Sequence, residues 1–193
     1  MVLTKELKNY FKDFPVFTIR DVKLFCQKFK VNKNYISLLL HSLLKNHELI
    51  RITKGKYTFQ RDIQIVGFAF SPFYYGLQDA LSLRNLWTQE TNPVVITPLK
   101  VRSGLRTFLD GNYIVRRIDR KMFFGYEMIK YRDFWIPVSD IEKTLIDFVY
   151  FKEPLSNEVL DEIKQEINKE KLRIYLKKSP RFVQRKIKIL LKM

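Results

Sequence analysis

Apolar residues recur at helical spacing three times within the first sixty positions of the chain. Leu3, Leu7, Tyr10 and Phe11 mark one helix over residues 2–11. Pro15 stops it, because proline lacks the backbone donor and biases Phe14 away from helical angles. Thr18 suits the N-cap of a second helix over 19–29, with Asp21 in its first turn and Val22, Phe25, Cys26 and Phe29 on its buried face. A third helix follows, which Asn32 or Asn34 can cap. At 100° per residue, Ile36, Leu39, Leu40, Leu43 and Leu44 gather on one side of it. Asn34, Ser37, His41 and Lys45 fall on the other. Leu49–Thr53 and Lys56–Phe59 then alternate apolar and polar residues about Lys54-Gly55, where glycine supplies the positive φ of a two-residue hairpin turn. Three helices and a basic-tipped hairpin predict a winged helix-turn-helix domain over residues 1–61.

After Arg61-Asp62 the pattern changes, and a second, mixed α/β domain is expected over 62–193. Ile63–Phe70 reads as a strand that Ser71-Pro72 breaks, and residues 75–86 read as a helix. Val94–Thr97 is a short β-rich run. Arg102 and Arg106 are expected in a loop, and residues 113–118 form a strand carrying Arg116 and Arg117. Segments 124–130 and 134–138 flank a tight turn at Tyr131-Arg132-Asp133. Ser139 to Glu142 has the form of a capping box, opening a helix that runs to about Tyr150. Ile141, Leu145 and Phe148 form its apolar side, and Lys143 and Asp147 are read as a surface i,i+4 pair. Helices near 157–167, 169–177 and 181–191 complete the chain. The expected class is α+β: a winged helix followed by an α/β domain with a helical C-terminal end.

Charge sharpens this picture more than composition does. The 193 residues carry a formal net charge of +16 and are 46% apolar, far from the signature of disorder. Residues 1–61 hold 13 Lys/Arg against 4 Asp/Glu, and residues 169–193 hold 10 against 1. The middle, 62–168, holds 13 against 15. An excess confined to the two ends suits a polyanionic partner better than general solubility does. Positive charge alone does not separate DNA from RNA. No apolar run approaches the roughly 20 residues of a membrane span, and Lys5, Lys8 and Lys12 interrupt any signal-like core. A lone Cys26 allows no internal disulfide and fits a small buried thiol. A cytoplasmic protein is expected.

The candidate DNA contacts follow from this placement. Asn32, Lys33, Asn34, Tyr35, Ser37, His41 and Lys45 lie at the start and along the outer side of the third helix. His41 fits a base or phosphate contact and equally an ordinary surface histidine, while His47 at the helix exit fits C-terminal capping. Leu38 shares the outer side and fits a thymine methyl, a protein contact or a chance exposed leucine equally. Arg51, Lys54 and Lys56 on the hairpin are candidate phosphate contacts, extended by Arg102, Arg106, Arg116, Arg117 and the basic C-terminal helices. Enzymatic chemistry finds little footing. Glu142 and Asp147 lie about 140° apart on one helix by the helical period, so capping and surface pairing explain them better than a metal-dependent nuclease site. Two histidines and one cysteine without ligand spacing argue against zinc, and no glycine-rich phosphate loop occurs. No cofactor is expected.

The middle block, "FAFSPFYYGLQDALSLRNLW", "NPVVITPLKVR" and "FFGYEMIKYRDFWIPVSDIEKTLIDFVYF", resembles the antitoxin of the AbiE system, a type IV toxin–antitoxin family. Its most specific parts are Tyr75-Gly76-Leu77, Phe124-Gly125-Tyr126 and the segment around Glu142-Lys143-Thr144-Leu145. One departure stands out: Arg84-Asn85-Leu86 replaces the His-Gly-Leu that the family often carries. The resemblance implies a winged-helix domain followed by an α+β antitoxin domain. It also implies an autoregulator binding double-stranded DNA at inverted repeats in its own promoter, with a homodimer on DNA as the expected arrangement. A nucleotidyltransferase toxin is the implied protein partner. The alternative is a protein-interaction module, or a stand-alone regulator without a toxin.

Overall fold

The computed structural model describes residues 2–192, apart from the side chain of Lys33, and is a mixed α+β chain. Two compact units divide it: residues 1–69 with 108–110, and the remainder. The first unit thus runs on past the boundary expected at Arg61-Asp62.

In the first unit, α1 spans Val2–Phe11, α2 Ile19–Cys26 and α3 Lys33–Lys45. Strands β2 (Ile50–Thr53) and β3 (Lys56–Thr58) form a hairpin, and β1 (Phe17–Thr18) adds to it in the order β1-β3-β2. Gly55 takes φ +76° at the hairpin turn, as its position between the strands requires. Thr18 caps α2 in a full capping box: its hydroxyl accepts from Asp21 N–H, and the Asp21 carboxylate accepts from Thr18 N–H at 2.7 Å. Leu7, Phe11, Val22, Cys26, Ile36, Leu40 and Leu43 bury the apolar stripes of all three helices against one another. Tyr10 departs from the expected stripe; it is exposed and stacks on Phe14, with ring centroids 5.6 Å apart. Burial of the Cys26 thiol raises its pKa, with Lys28 acting the other way.

The second unit centres on a six-stranded sheet ordered β6-β7-β5-β4-β9-β8. These strands are β4 Tyr74–Tyr75, β5 Val94–Thr97, β6 Gly104–Phe108, β7 Gly111–Arg117, β8 Tyr126–Tyr131 and β9 Phe134–Ser139. β5 runs parallel to β7, and β4 parallel to β9; β4–β5 and β8–β9 are antiparallel. The helices are α4 Leu77–Leu83, α5 Ile141–Phe151, α6 Asn157–Glu166, α7 Lys169–Lys178 and α8 Arg181–Leu190. Leu81, Ile96, Leu145, Ile146, Ile163, Leu172, Val183 and Ile187 share one core, so the C-terminal helices pack through their apolar stripes.

Several expected elements change type. Ile63–Phe70 forms 3₁₀ turns instead of a strand; its run of apolar residues has no alternation with which to choose between the two. Tyr75, expected to begin a helix, instead lies with Tyr74 in a strand between β5 and β9. Arg106 lies in β6, not in a loop. The N-cap of α5 is Asp140, whose carboxylate accepts from Lys143 N–H at 2.8 Å. Ser139 instead lies buried against the Thr144 hydroxyl at 2.7 Å. At the end of α4, Asn85 takes φ +61°. Leu86 N–H donates to Leu81 C=O at 2.8 Å and Asn85 N–H to Ser82 C=O at 3.0 Å, the paired bonds of a Schellman cap. Asparagine therefore holds the left-handed position for which glycine is the usual residue.

Candidate nucleic-acid interface

In the first unit, burial divides α3 cleanly. Ile36, Leu39, Leu40 and Leu43 are buried, while Asn34, Ser37, His41 and Lys45 are exposed. The exposed stripe also carries Leu38, 68% exposed, and Tyr35, 43% exposed. Lys33 is the first residue of α3, and its side chain lies outside the described residues. Asn32 sits just before the helix and its Oδ1 accepts from Tyr35 N–H at 2.8 Å, so its carbonyl oxygen already satisfies a free helix donor. The exit of α3 is also a Schellman cap. His47 takes φ +55°, and Glu48 N–H donates to Leu43 C=O at 3.0 Å. His47 therefore closes the helix through its backbone, and its carbonyl accepts from Arg61 Nη2 at 3.1 Å.

On the hairpin, Arg51 and Lys54 are exposed, Lys54 beside the Gly55 turn. Lys56 is different: it is half-buried, and its Nζ donates to the Ala69 carbonyl. The ammonium expected on phosphate thus already has a partner in its own unit.

The four arginines expected to extend the footprint belong to the second unit. Arg102 and Arg117 are exposed. Arg106 is half-buried; its Nη2 donates to Arg102 C=O at 2.9 Å and its guanidinium lies 5.0 Å from the Phe70 ring centre. Burial raises the nearby Tyr113 phenol, against the charge and hydrogen bond of Arg106. Arg116 forms an ion pair with Glu153 and lies over the Phe151 ring at 5.9 Å. Alternation along β7 puts Arg116 and Arg117 on opposite sides of the sheet. These arginines therefore form no single phosphate-facing row.

Around α5 the structure corrects the surface reading of the acidic residues. Lys143 and Asp147 are fully buried, and Asp147 Oδ2 accepts from Tyr74 Oη at 3.0 Å. The Lys143 ammonium lies 5.3 Å from the Tyr74 ring centre and 5.2 Å from that of Phe124. Asp140 Oδ2 accepts from Tyr175 Oη at 2.8 Å and pairs with Lys171 Nζ at 3.0 Å. Glu142 Oε1 accepts from Asn168 N–H at 2.7 Å, and Oε2 lies 3.3 Å from the same Lys171. Burial raises Tyr74 far above the ordinary phenol value, with Asp147 adding to it. Tyr175 is pushed up to about 12 by burial and by its hydrogen bond to Asp140. Burial opposes the charge on Lys171, but the hydrogen bond and charge of Asp140, with Glu142, leave its pKa raised. These groups tie α7 to the start of α5. Among the described residues, no group of three or more His, Cys, Asp or Glu could hold a metal ion.

One surface went unread in the sequence. Met128 and Trp135 are 53% and 56% exposed, and Tyr126 is 41% exposed. Pairing of Met128 with Pro137 and of Lys130 with Trp135 places these side chains on one side of the β8–β9 hairpin. Period-2 spacing of Tyr126, Met128 and Lys130 was the available signal.

No family model matches the chain, and no curated protein matches it. Among solved structures it is similar to the Rv2827c protein of Mycobacterium tuberculosis, at 13% identity and a TM-score of 0.66, covering 100% of this chain and 77% of that one. At that identity the likeness is one of fold. No helix among the described residues is long and apolar enough to cross a membrane.

Proposed function

We propose that this protein is a cytoplasmic DNA-binding transcriptional regulator of the AbiEi antitoxin type. Its first unit acts as a winged helix-turn-helix, with α3 as the reading helix and the β2–β3 hairpin as the wing. The protein binds its own promoter as a homodimer and counteracts a nucleotidyltransferase toxin. It is not an enzyme and uses no metal or cofactor. The observation that carries the DNA reading is the division of α3: a fully packed apolar stripe opposite an exposed stripe of Asn34, Ser37, His41 and Lys45, with Arg51 and Lys54 exposed on the hairpin that follows. An α-helix with such a stripe suits the major groove, and exposed cations on a hairpin suit flanking phosphates. Mobility shift with duplex from upstream of the protein's own reading frame tests it. Retardation at low salt that weakens steeply as salt rises is expected; no retardation of any duplex at low salt overturns it.

A second reading, a protein-interaction module, is favoured by the exposed Tyr126, Met128 and Trp135. Exposed aromatic and methionine side chains on one side of a sheet are the usual centres of protein contacts. Co-expression with an adjacent nucleotidyltransferase reading frame tests it: growth should be rescued by the wild type and lost with Trp135→Ser and Met128→Ser together. Rescue by that variant removes this hairpin from the contact.

A further inference from the structure

The two most basic helices carry cations on the side they turn away from the core. Leu172 and Leu176 of α7, with Val183 and Ile187 of α8, bury the apolar stripes of both helices. Between the helices lies a cleft with a volume near 520 Å³, lined by Lys169, Arg173, Leu176, Lys177, Gln184 and Lys188. Lys169, Arg173 and Lys177 follow one another at one-turn spacing along α7, so three cations stand in a row about 12 Å long, and Lys188 faces them from α8. All four are exposed, and among the described residues no carboxylate lines the cleft. The neighbouring Lys171 is different, because Asp140 and Glu142 hold it. Gln184 donates to Ser179 C=O at 2.8 Å, which fixes its amide at the cleft wall.

Four cations at this spacing repel one another, and no ion pair among the described residues offsets that repulsion. Water and salt screen that repulsion, and a multivalent anion seated across the row would neutralise it. We infer that the α7–α8 cleft is a second, separate nucleic-acid contact that grips the phosphate backbone of a duplex without reading its sequence. The choice of occupant follows from the lining. A protein partner needs an apolar or aromatic centre, and lysine is depleted at such centres; here only Leu176 is apolar, and it is 5% exposed. An anionic membrane surface needs apolar side chains to insert, and Ile174, Phe182 and Ile189, the exposed apolar residues of these helices, do not line the cleft. A phosphodiester backbone needs cations in a row, and nucleic-acid interfaces are polar and strongly positive.

This inference rests on the nucleic-acid reading above, and the experiment separates the two. Affinity of the full chain for a labelled duplex is measured by fluorescence anisotropy across a salt series, using the upstream sequence and a scrambled one. The variants are Arg173→Glu with Lys177→Glu for the cleft, and Arg51→Glu with Lys54→Glu for the hairpin. The cleft variant should bind both duplexes at least about tenfold more weakly near 0.1 M salt, with a salt slope shallower by about 2, since each lost phosphate contact removes about 0.9. Its preference for the upstream sequence should be unchanged. A cleft variant that matches the wild type in slope and affinity, while the hairpin variant is weakened, overturns the cleft and leaves the promoter reading standing. Loss in the cleft variant with none in the hairpin variant supports the cleft and removes the hairpin from the proposed function. A wild type that binds no duplex, or that binds phosphatidylserine vesicles instead, overturns both. Arg173→Gln with Lys177→Gln gives the same reading without reversed charge should the first variant fold poorly, and Arg173→Lys with Lys177→Arg should restore binding.

Discussion

Lys143 and Asp147, one turn apart on α5, form a salt bridge in which neither side chain is exposed at all. Burial pulls the lysine pKa down and pushes the aspartate up, and their mutual attraction works against both shifts. Tyr74 donates to the same carboxylate from β4, so the pair joins the helix to the strand beneath it. Removing one member leaves an uncompensated charge in the core. Lys143→Met should therefore cost about 3–5 kcal/mol, whereas Lys143→Met combined with Asp147→Leu and Tyr74→Phe should recover at least half of that. Urea unfolding of the single and triple variants measures both. Equal stability of Lys143→Met and wild type would contradict the buried pair.

Gly125 is the second point at which the network depends on one residue. It takes φ +72°, and a Cβ there would stand 2.8 Å from both Lys143 Cβ and Tyr175 Cε2. Its carbonyl also accepts from Asp140 N–H at 2.9 Å. Gly125→Ala combines backbone strain with a clash against two fixed neighbours, and a loss of about 2–4 kcal/mol is expected. Thermal unfolding reports it, and an unchanged midpoint would show that the corner can rearrange.

Tyr175 supplies a pH signature. Its pKa rises from the ordinary phenol value of 10 to about 12 on folding. The folded state thus holds this proton more tightly, so the contribution is complete below pH 10 and is lost as pH rises towards 12. The stability gap between wild type and Tyr175→Phe should be constant at neutral pH and shrink across that alkaline window. A gap that widens there would reverse the assigned sign.

Asn32 and Asn34 separate two roles that asparagines two positions apart could share. Asn32 caps α3 through its side chain, so Asn32→Ala should lower stability by about 1 kcal/mol and leave sequence preference intact. Asn34→Ala should do the reverse, changing preference with stability held within about 0.5 kcal/mol. Chemical unfolding together with selection from randomised duplexes distinguishes them; a preference change in the Asn32 variant alone would exchange their roles.

How much of this was legible depended on the reach of each interaction. The stripe Ile36, Leu39, Leu40 and Leu43, the Thr18 cap and the turn at Gly55 all depend on residues a few positions apart, and periodicity and residue type found them. The strand at Tyr74-Tyr75 is two residues long and exists because β5 and β9 flank it, a relation spanning more than sixty positions. Lys143 and Asp147 read as a surface pair because i,i+4 spacing says nothing about what covers them; Tyr74 and Phe124 do so from distant positions. Lys56 read as a free cation because the 3₁₀ segment ending near Ala69 could not be foreseen as its acceptor.

The corner at Asn85 has a consequence for which residues that position can accept. Two side chains, one absent and one a short amide, trace the same left-handed path, so natural drift can exchange them there without bending the polypeptide elsewhere.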